Sequence, residues 1–143
     1  MKKWVFILGF ITVVLQGYSQ TSPKDSFLQM DKTLLALVNQ INSPKTEVNI
    51  KNIDSLHREI TKFSLDFDAM SARFGVKKSR KSKKIKTNIN AILGCADRVL
   101  YQSEFGENVY LNNEYTDDIK ETAEKAYNIV HENILIITAK LSN

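Results

Sequence analysis

The densest group of chemically active side chains in this sequence is a run of positive charge between residues 77 and 86, here called the basic segment. Such a run can bind an anionic lipid surface or an acidic protein surface, and it can also act only to keep a protein soluble. No aromatic residue lies among the cations to stack on bases, so nucleic acid is not the expected partner. The predicted binding residues are Lys77, Lys78, Arg80, Lys81, Lys83, Lys84 and Lys86.

Residues suited to catalysis or metal binding are sparse. The chain has two histidines, His57 and His131, and one cysteine, Cys95. The histidines lack the Glu-x-x-His spacing of a di-metal site in a helical bundle. Cys95 is flanked by apolar residues, where a thiol behaves as a small buried hydrophobe. We therefore predict a protein that is not an enzyme, with no catalytic residue, metal site or cofactor.

A second cluster follows between residues 101 and 118, here called the aromatic end. It contains five acidic residues and no basic one, together with the rings of Tyr101, Phe105, Tyr110 and Tyr115. We expect these rings to pack over one end of the fold. Contact with a ligand or a partner is the alternative.

Four long segments carry the helical periodicity that must position these clusters. In the second segment apolar residues recur at alternating spacings of three and four: Ile53, Leu56, Ile60, Phe63, Phe67, Met70 and Phe74. The predicted helices cover about 24–42, 51–74, 83–105 and 116–141. Matched lengths and short connections predict an all-α, antiparallel up-down-up-down four-helix bundle. In that topology the basic segment and the aromatic end lie at opposite ends.

Residues at the helix ends support these boundaries. Ser22 can cap the first helix with Pro23 at its first position. Gly75 can end the second helix in a left-handed conformation, with Val76 making the accompanying apolar contact.

A start of the third helix at about Lys83 would place Lys83, Lys84 and Lys86 in its first turns. The helix dipole disfavours a cation there by about 0.3–1 kcal/mol. A cost accepted at three positions favours a role for the charge beyond solubility.

Two further patterns concern how the helices pack. Ala91, Gly94 and Cys95 form a patch of small residues, where we expect another helix of the bundle, or alternatively a second chain, to approach closely. The fourth helix carries Ile129, Leu135 and Ile136 away from its main apolar seam. We expect a broad core to cover them, and homo-oligomerisation through this helix is the alternative.

The beginning of the chain has the pattern of a bacterial export signal. Lys2 and Lys3 precede the apolar stretch Trp4–Leu15, and small residues then lead to a predicted cleavage after Ser19. An uncleaved membrane anchor is less favoured, because a spanning helix needs about 20 apolar residues. We predict a signal peptide over 1–19, a single domain over 20–143, and a periplasmic or secreted protein.

Removal of the signal would leave 18 basic and 16 acidic residues, with 11 basic and 16 acidic residues outside the basic segment. Positive charge is thus a local feature of the processed chain. We predict an exported, non-catalytic binding or cell-envelope accessory module that contacts an anionic protein or lipid surface through the basic segment. The alternatives are a periplasmic four-helix bundle that binds a small ligand or metal, and a structural homo-oligomer.

Overall fold

The computed structural model describes residues 21–43 and 50–141. The described part forms four long helices and no strand: α1 Pro23–Asn42, α2 Ile50–Arg73, α3 Arg80–Glu104 and α4 Asn113–Thr138, with a short 3-10 helix, Val109–Leu111, between α3 and α4. The predicted all-α fold of four helices is confirmed. The predicted signal peptide lies outside the described residues.

The core forms where the apolar seams of the helices meet. In α2 the first five seam residues are buried, whereas Met70 and Phe74 at its end are half-buried. The apolar seams of α1 and α3 are buried as well: Phe27, Met30, Leu34, Val38 and Ile41 in α1, and Ile85, Ile89, Ile92, Ala96 and Val99 in α3. Burial of side chains that recur every three or four residues is what holds an amphipathic helix in a fold.

Contacts across the helix interfaces show how neighbouring helices run. Each contact joins a residue in the first half of one helix to a residue in the second half of its neighbour, so neighbouring helices are antiparallel, and α4 packs back on α1. The pairs are Phe27–Phe67 for α1 and α2, Asp68–Lys86 for α2 and α3, Arg98–Asp118 for α3 and α4, and Asp31–His131 for α1 and α4.

The helix boundaries follow from local caps. The Ser22 hydroxyl accepts the Asp25 backbone N–H at 3.1 Å, with Pro23 at the first turn of α1, as predicted. Helices α3 and α4 each begin three residues earlier than predicted. Ser79 caps α3, and Asn112 caps α4 by accepting the Tyr115 N–H at 3.2 Å.

Two of the three small residues in the α3 patch, Ala91 and Gly94, do not contact another helix among the described residues. No atom among the described residues lies within 4 Å of the position that a Cβ on Gly94 would take, apart from the helix itself. Ala91 is exposed. The expectation that a helix of the bundle approaches closely here is therefore wrong for Ala91 and Gly94. It holds for Cys95, whose Sγ lies 3.8 Å from the Ile119 carbonyl oxygen of α4. Cys95 is buried, as predicted.

The apolar end of α4 is only partly covered. Leu135 is 44% and Ile136 is 37% exposed, while Ile129 is half-buried. The expectation of a core broad enough to cover all three is therefore wrong for Leu135 and Ile136. Across the described residues, no helix has both the length and the apolar character needed to cross a membrane.

Candidate functional site

The backbone leading into the basic segment is fixed by the end of α2. Gly75 has φ 72°, and its N–H donates to the Ala72 carbonyl at 3.2 Å. The Val76 N–H donates to the Ser71 carbonyl at 2.9 Å, and the Val76 side chain packs against the core. These are the two hydrogen bonds and the apolar contact of a Schellman motif, so the predicted left-handed cap at Gly75 is confirmed.

Two serines fix the other side of the turn. The Ser79 hydroxyl accepts the Ser82 backbone N–H at 3.0 Å and begins α3. The Ser82 side chain is buried and donates from its hydroxyl to the Val76 carbonyl at 2.7 Å. Because the turn is hydrogen-bonded on both sides, the basic side chains extend from an ordered backbone.

Six of the seven predicted binding residues carry charge that the fold does not neutralise. Lys81 is half-exposed. The other five are exposed: Lys77, Lys78, Arg80, Lys83 and Lys84. Within the part of the chain that the structure describes, none of the six forms an ion pair with a carboxylate. Their charge is therefore available to a partner.

Lys86 differs from the other six because it has a partner within the fold. Its ammonium group pairs with the Asp68 carboxylate of α2, and both side chains are partly buried. Lys86 therefore joins α2 to α3, and its charge is already compensated.

The predicted placement of cations at the start of α3 needs correction. The helix begins at Arg80, so its first turn holds Arg80, Lys81 and Lys83, whereas Lys84 and Lys86 lie beyond that turn. The prediction was wrong for the last two because the cap is Ser79, not a residue next to Lys83. No acidic residue lies in this first turn, so three cations still face the unfavourable end of the helix dipole.

The two histidines are engaged at different interfaces. His57 Nε2 lies 2.7 Å from Asp97 Oδ1 between α2 and α3, and His131 Nδ1 lies 2.8 Å from Asp31 Oδ2 between α1 and α4. The structure does not bring them together. Among the described residues, no group of three or more His, Cys, Asp or Glu side chains is placed to hold a metal ion.

The buried thiol of Cys95 is not arranged for nucleophilic chemistry. Burial raises its pKa, and its Sγ lies 3.8 Å from the Ile119 carbonyl oxygen. A thiol whose pKa is raised by burial is a poor source of thiolate at neutral pH.

At the aromatic end the four rings divide into two pairs. Tyr110 donates its hydroxyl to the Ile41 carbonyl at 2.6 Å, and burial raises its pKa to about 12. Tyr115 is half-buried. In contrast, Tyr101 and Phe105 are 58% and 67% exposed. The expectation that the rings pack over the end of the fold is correct for Tyr110 and Tyr115 and wrong for Tyr101 and Phe105.

Arg98 shows how this end holds a cation. Its guanidinium carbon lies 4.8 Å from the centre of the Tyr115 ring, and its Nη2 lies 2.5 Å from Asp118 Oδ2. Hydrogen bonds to Tyr115 and Asp118 raise the pKa of Arg98. A basic side chain is thus bound here between an aromatic face and a carboxylate.

A groove between α1 and α2 was not predicted from the sequence. It is open to solvent on one side and has a volume of about 480 Å³, and its apolar lining includes Met30, Phe63, Met70 and Phe74. Its size lies in the range of small-ligand sites, about 300–1,000 Å³. Sequence periodicity could not find it, since a seam residue looks the same whether a neighbouring helix covers it or stands apart.

Comparison with protein families, curated proteins and solved structures finds no match to this chain.

Proposed function

We propose that this chain is an exported, non-catalytic four-helix-bundle protein that binds an anionic surface in the periplasm or outside the cell through the basic segment. The surface is an acidic face of an envelope protein or a layer of anionic lipid headgroups. The contact residues are the six cations from Lys77 to Lys84, and Lys86 supports them by joining α2 to α3.

The observation that carries this proposal is that six cations share one ordered turn and that none of them forms an ion pair within the described residues. Other described lysines without an ion pair, such as Lys62 and Lys125, are scattered over the helices rather than grouped. Six like charges on one ordered turn repel one another, and a partner of opposite charge relieves that repulsion. Each Lys or Arg held near an anionic membrane contributes about 1 kcal/mol of attraction.

The test compares three forms of the processed chain, 20–143, which contains every residue that the structure describes. The first is unchanged. The six-base variant replaces Lys77, Lys78, Arg80, Lys81, Lys83 and Lys84 with Gln, which lowers charge and keeps a good helix former. The matched control replaces six scattered lysines with Gln, so its net charge is the same: Lys24, Lys32, Lys62, Lys120, Lys125 and Lys140.

Each form is used to capture partners from a native envelope extract and is sedimented with vesicles of anionic or zwitterionic phospholipid. We expect the unchanged chain and the matched control to retain a target that the six-base variant loses, while all three show the same helical circular dichroism. If the unchanged chain captures a protein from the extract but does not sediment with anionic vesicles, the partner is an acidic protein surface. If it sediments with anionic vesicles but captures no protein, the partner is a lipid surface. Equal capture by all three forms would leave the basic segment as a solubilising feature and refute the proposal.

A further inference from the structure

Two strongly exposed aromatic side chains near the end of α3 lie together. Tyr101 and Phe105 are 58% and 67% exposed, and their ring centres are 4.7 Å apart. Leu111, in the 3-10 helix that follows, is 76% exposed. The core does not use these side chains, and exposed apolar groups that lie together are typical of a surface that another molecule covers.

Acidic side chains accompany these rings. Glu104, Glu107, Glu114 and Asp117 are exposed, and none forms an ion pair with a described residue. A partner that suits both features is cationic, because a Lys or Arg side chain can contact a ring face and a carboxylate at once. Arg98 already binds in this way to Tyr115 and Asp118 at the same end.

The complementary surface is present on the same chain but out of reach. The basic segment begins at the start of α3 and the exposed rings lie at its end, and a helix of 25 residues is about 37 Å long. One molecule therefore cannot bring its six unpaired cations to its own exposed rings. Two molecules can.

We propose that the aromatic end of one molecule binds the basic segment of a second copy, head to tail, which rests on the proposed function because it names a partner for the same basic segment. Lys77 to Lys84 of one copy contact the Tyr101 and Phe105 rings and the nearby glutamates of the next. The contact joins two different surfaces, so it is heterologous. A joined pair keeps one free end of each kind, and further copies can therefore extend it into chains or close it into rings. A small interface rich in charge is weak and sensitive to salt.

The experiment uses two variants of the processed chain, each with one end blocked. The six-base variant has lost the basic segment and keeps the aromatic end. The ring variant, Tyr101→Ser with Phe105→Ser, has lost the exposed rings and keeps the basic segment. Both changes fall on exposed or half-exposed side chains, so the fold is expected to persist, and circular dichroism checks it.

Sedimentation velocity at low ionic strength is measured over a range of concentrations. The unchanged chain should form species larger than a dimer as concentration rises, and about 1 M salt, where the Debye length is about 3 Å, should disperse them. Each variant alone should remain monomeric. The two variants mixed should form a 1:1 dimer and nothing larger, because that pair has one working contact and two blocked ends.

Three results would overturn the head-to-tail contact. The first is an unchanged chain that stays monomeric at every concentration. The second is a variant that associates alone as the unchanged chain does, which would point to another surface such as α4. The third is a mixture that yields no dimer. The vesicle and extract experiments separate this failure from that of the proposed function, because a monomeric chain that still captures an anionic target through the basic segment retains that function.

Discussion

The two ends of α3 are joined to their neighbours by turns that share one backbone design and present opposite surfaces. At the basic segment, Gly75 with φ 72° ends α2, and at the aromatic end Gly106 with φ 77° ends α3. The Glu107 N–H donates to the Gln102 carbonyl at 3.0 Å, and the Gly106 N–H donates to the Ser103 carbonyl at 3.1 Å. These bonds repeat those at Gly75 and Val76, so both turns are Schellman motifs.

The side chains that follow the two glycines differ. Val76 packs against the core, whereas Glu107 in the equivalent position is exposed. Before the glycine, Phe74 packs with its ring centre 6.0 Å from that of Phe27, whereas Phe105 lies mostly in solvent. Because the backbone hydrogen bonds are the same, the turn itself requires neither the cations nor the exposed rings. Their placement is a property of the surface.

The largest expected effect separates the two phenylalanines. Phe74→Ala should lower the free energy of unfolding by about 2 kcal/mol, since deletion of a buried Phe costs about 3–5 kcal/mol and Phe74 is half-buried. Phe105→Ala should change it by less than about 0.5 kcal/mol, because its side chain is mostly exposed. Urea denaturation at low protein concentration measures both. A loss at Phe105 equal to that at Phe74 would mean that the exposed ring contributes to the fold, and the contrast between the ends would fail.

A smaller effect concerns the buried tyrosine of the aromatic end. Tyr110→Phe removes the hydroxyl that donates to the Ile41 carbonyl. Leaving that carbonyl without its donor should lower the free energy of unfolding at neutral pH by about 1–2 kcal/mol. Tyr101→Phe is the matched control, because Tyr101 is exposed and should tolerate the same change with little loss.

The same tyrosine predicts a dependence on alkaline pH. Burial raises the Tyr110 pKa from 10.0 to about 12, so between these values the unfolded chain loses a proton that the folded chain keeps. The folded state binds more protons there, and stability falls as pH rises from about 10 to about 12. Over that interval Tyr110→Phe should lose less stability than the unchanged chain does. Parallel losses in the two proteins would show that the hydroxyl is not buried as described.

Much of this fold follows from sequence because its core is periodic. The α2 seam from Ile53 to Phe67 is buried as its spacing predicts. The start of α3 is harder to predict from sequence, because Ser79 and Ser82 could each cap the helix. Ser82 is not the cap, since its hydroxyl donates to the Val76 carbonyl. Phe105 continues an apolar pattern, yet the helix ends there and its side chain is mostly exposed.

The candidate site divides in the same way. Its seven basic residues are evident from composition alone. The pairing of Lys86 with Asp68 cannot be predicted from composition, because the two residues are 18 positions apart and meet only through the register of α2 against α3. Likewise, the sequence does not show that Tyr110 is packed and Tyr101 exposed, because this difference depends on which ring reaches the end of α1.

The smallest expected effects come from substitutions of the glycines, and these substitutions allow a direct comparison of the two turns. Gly75→Ala and Gly106→Ala should each lower the free energy of unfolding by roughly 1 kcal/mol, because both positions have positive φ, which disfavours a Cβ. Among the described residues, no neighbouring atom lies within 4 Å of the Cβ position at either site, so the expected cost is one of backbone conformation. Equal losses would support the same cap at both ends.

Gly94→Ala is the control for that comparison, and its sign should be opposite. Gly94 lies inside α3 without a positive φ, and an added Cβ there meets no described atom within 4 Å. Alanine reduces the freedom of the unfolded chain and favours helix, so stability should rise by about 0.5–1 kcal/mol. A loss at Gly94 would show that a neighbour does approach this face of α3, as a second chain would. That result would move the contact between copies from the ends of the molecule to its side.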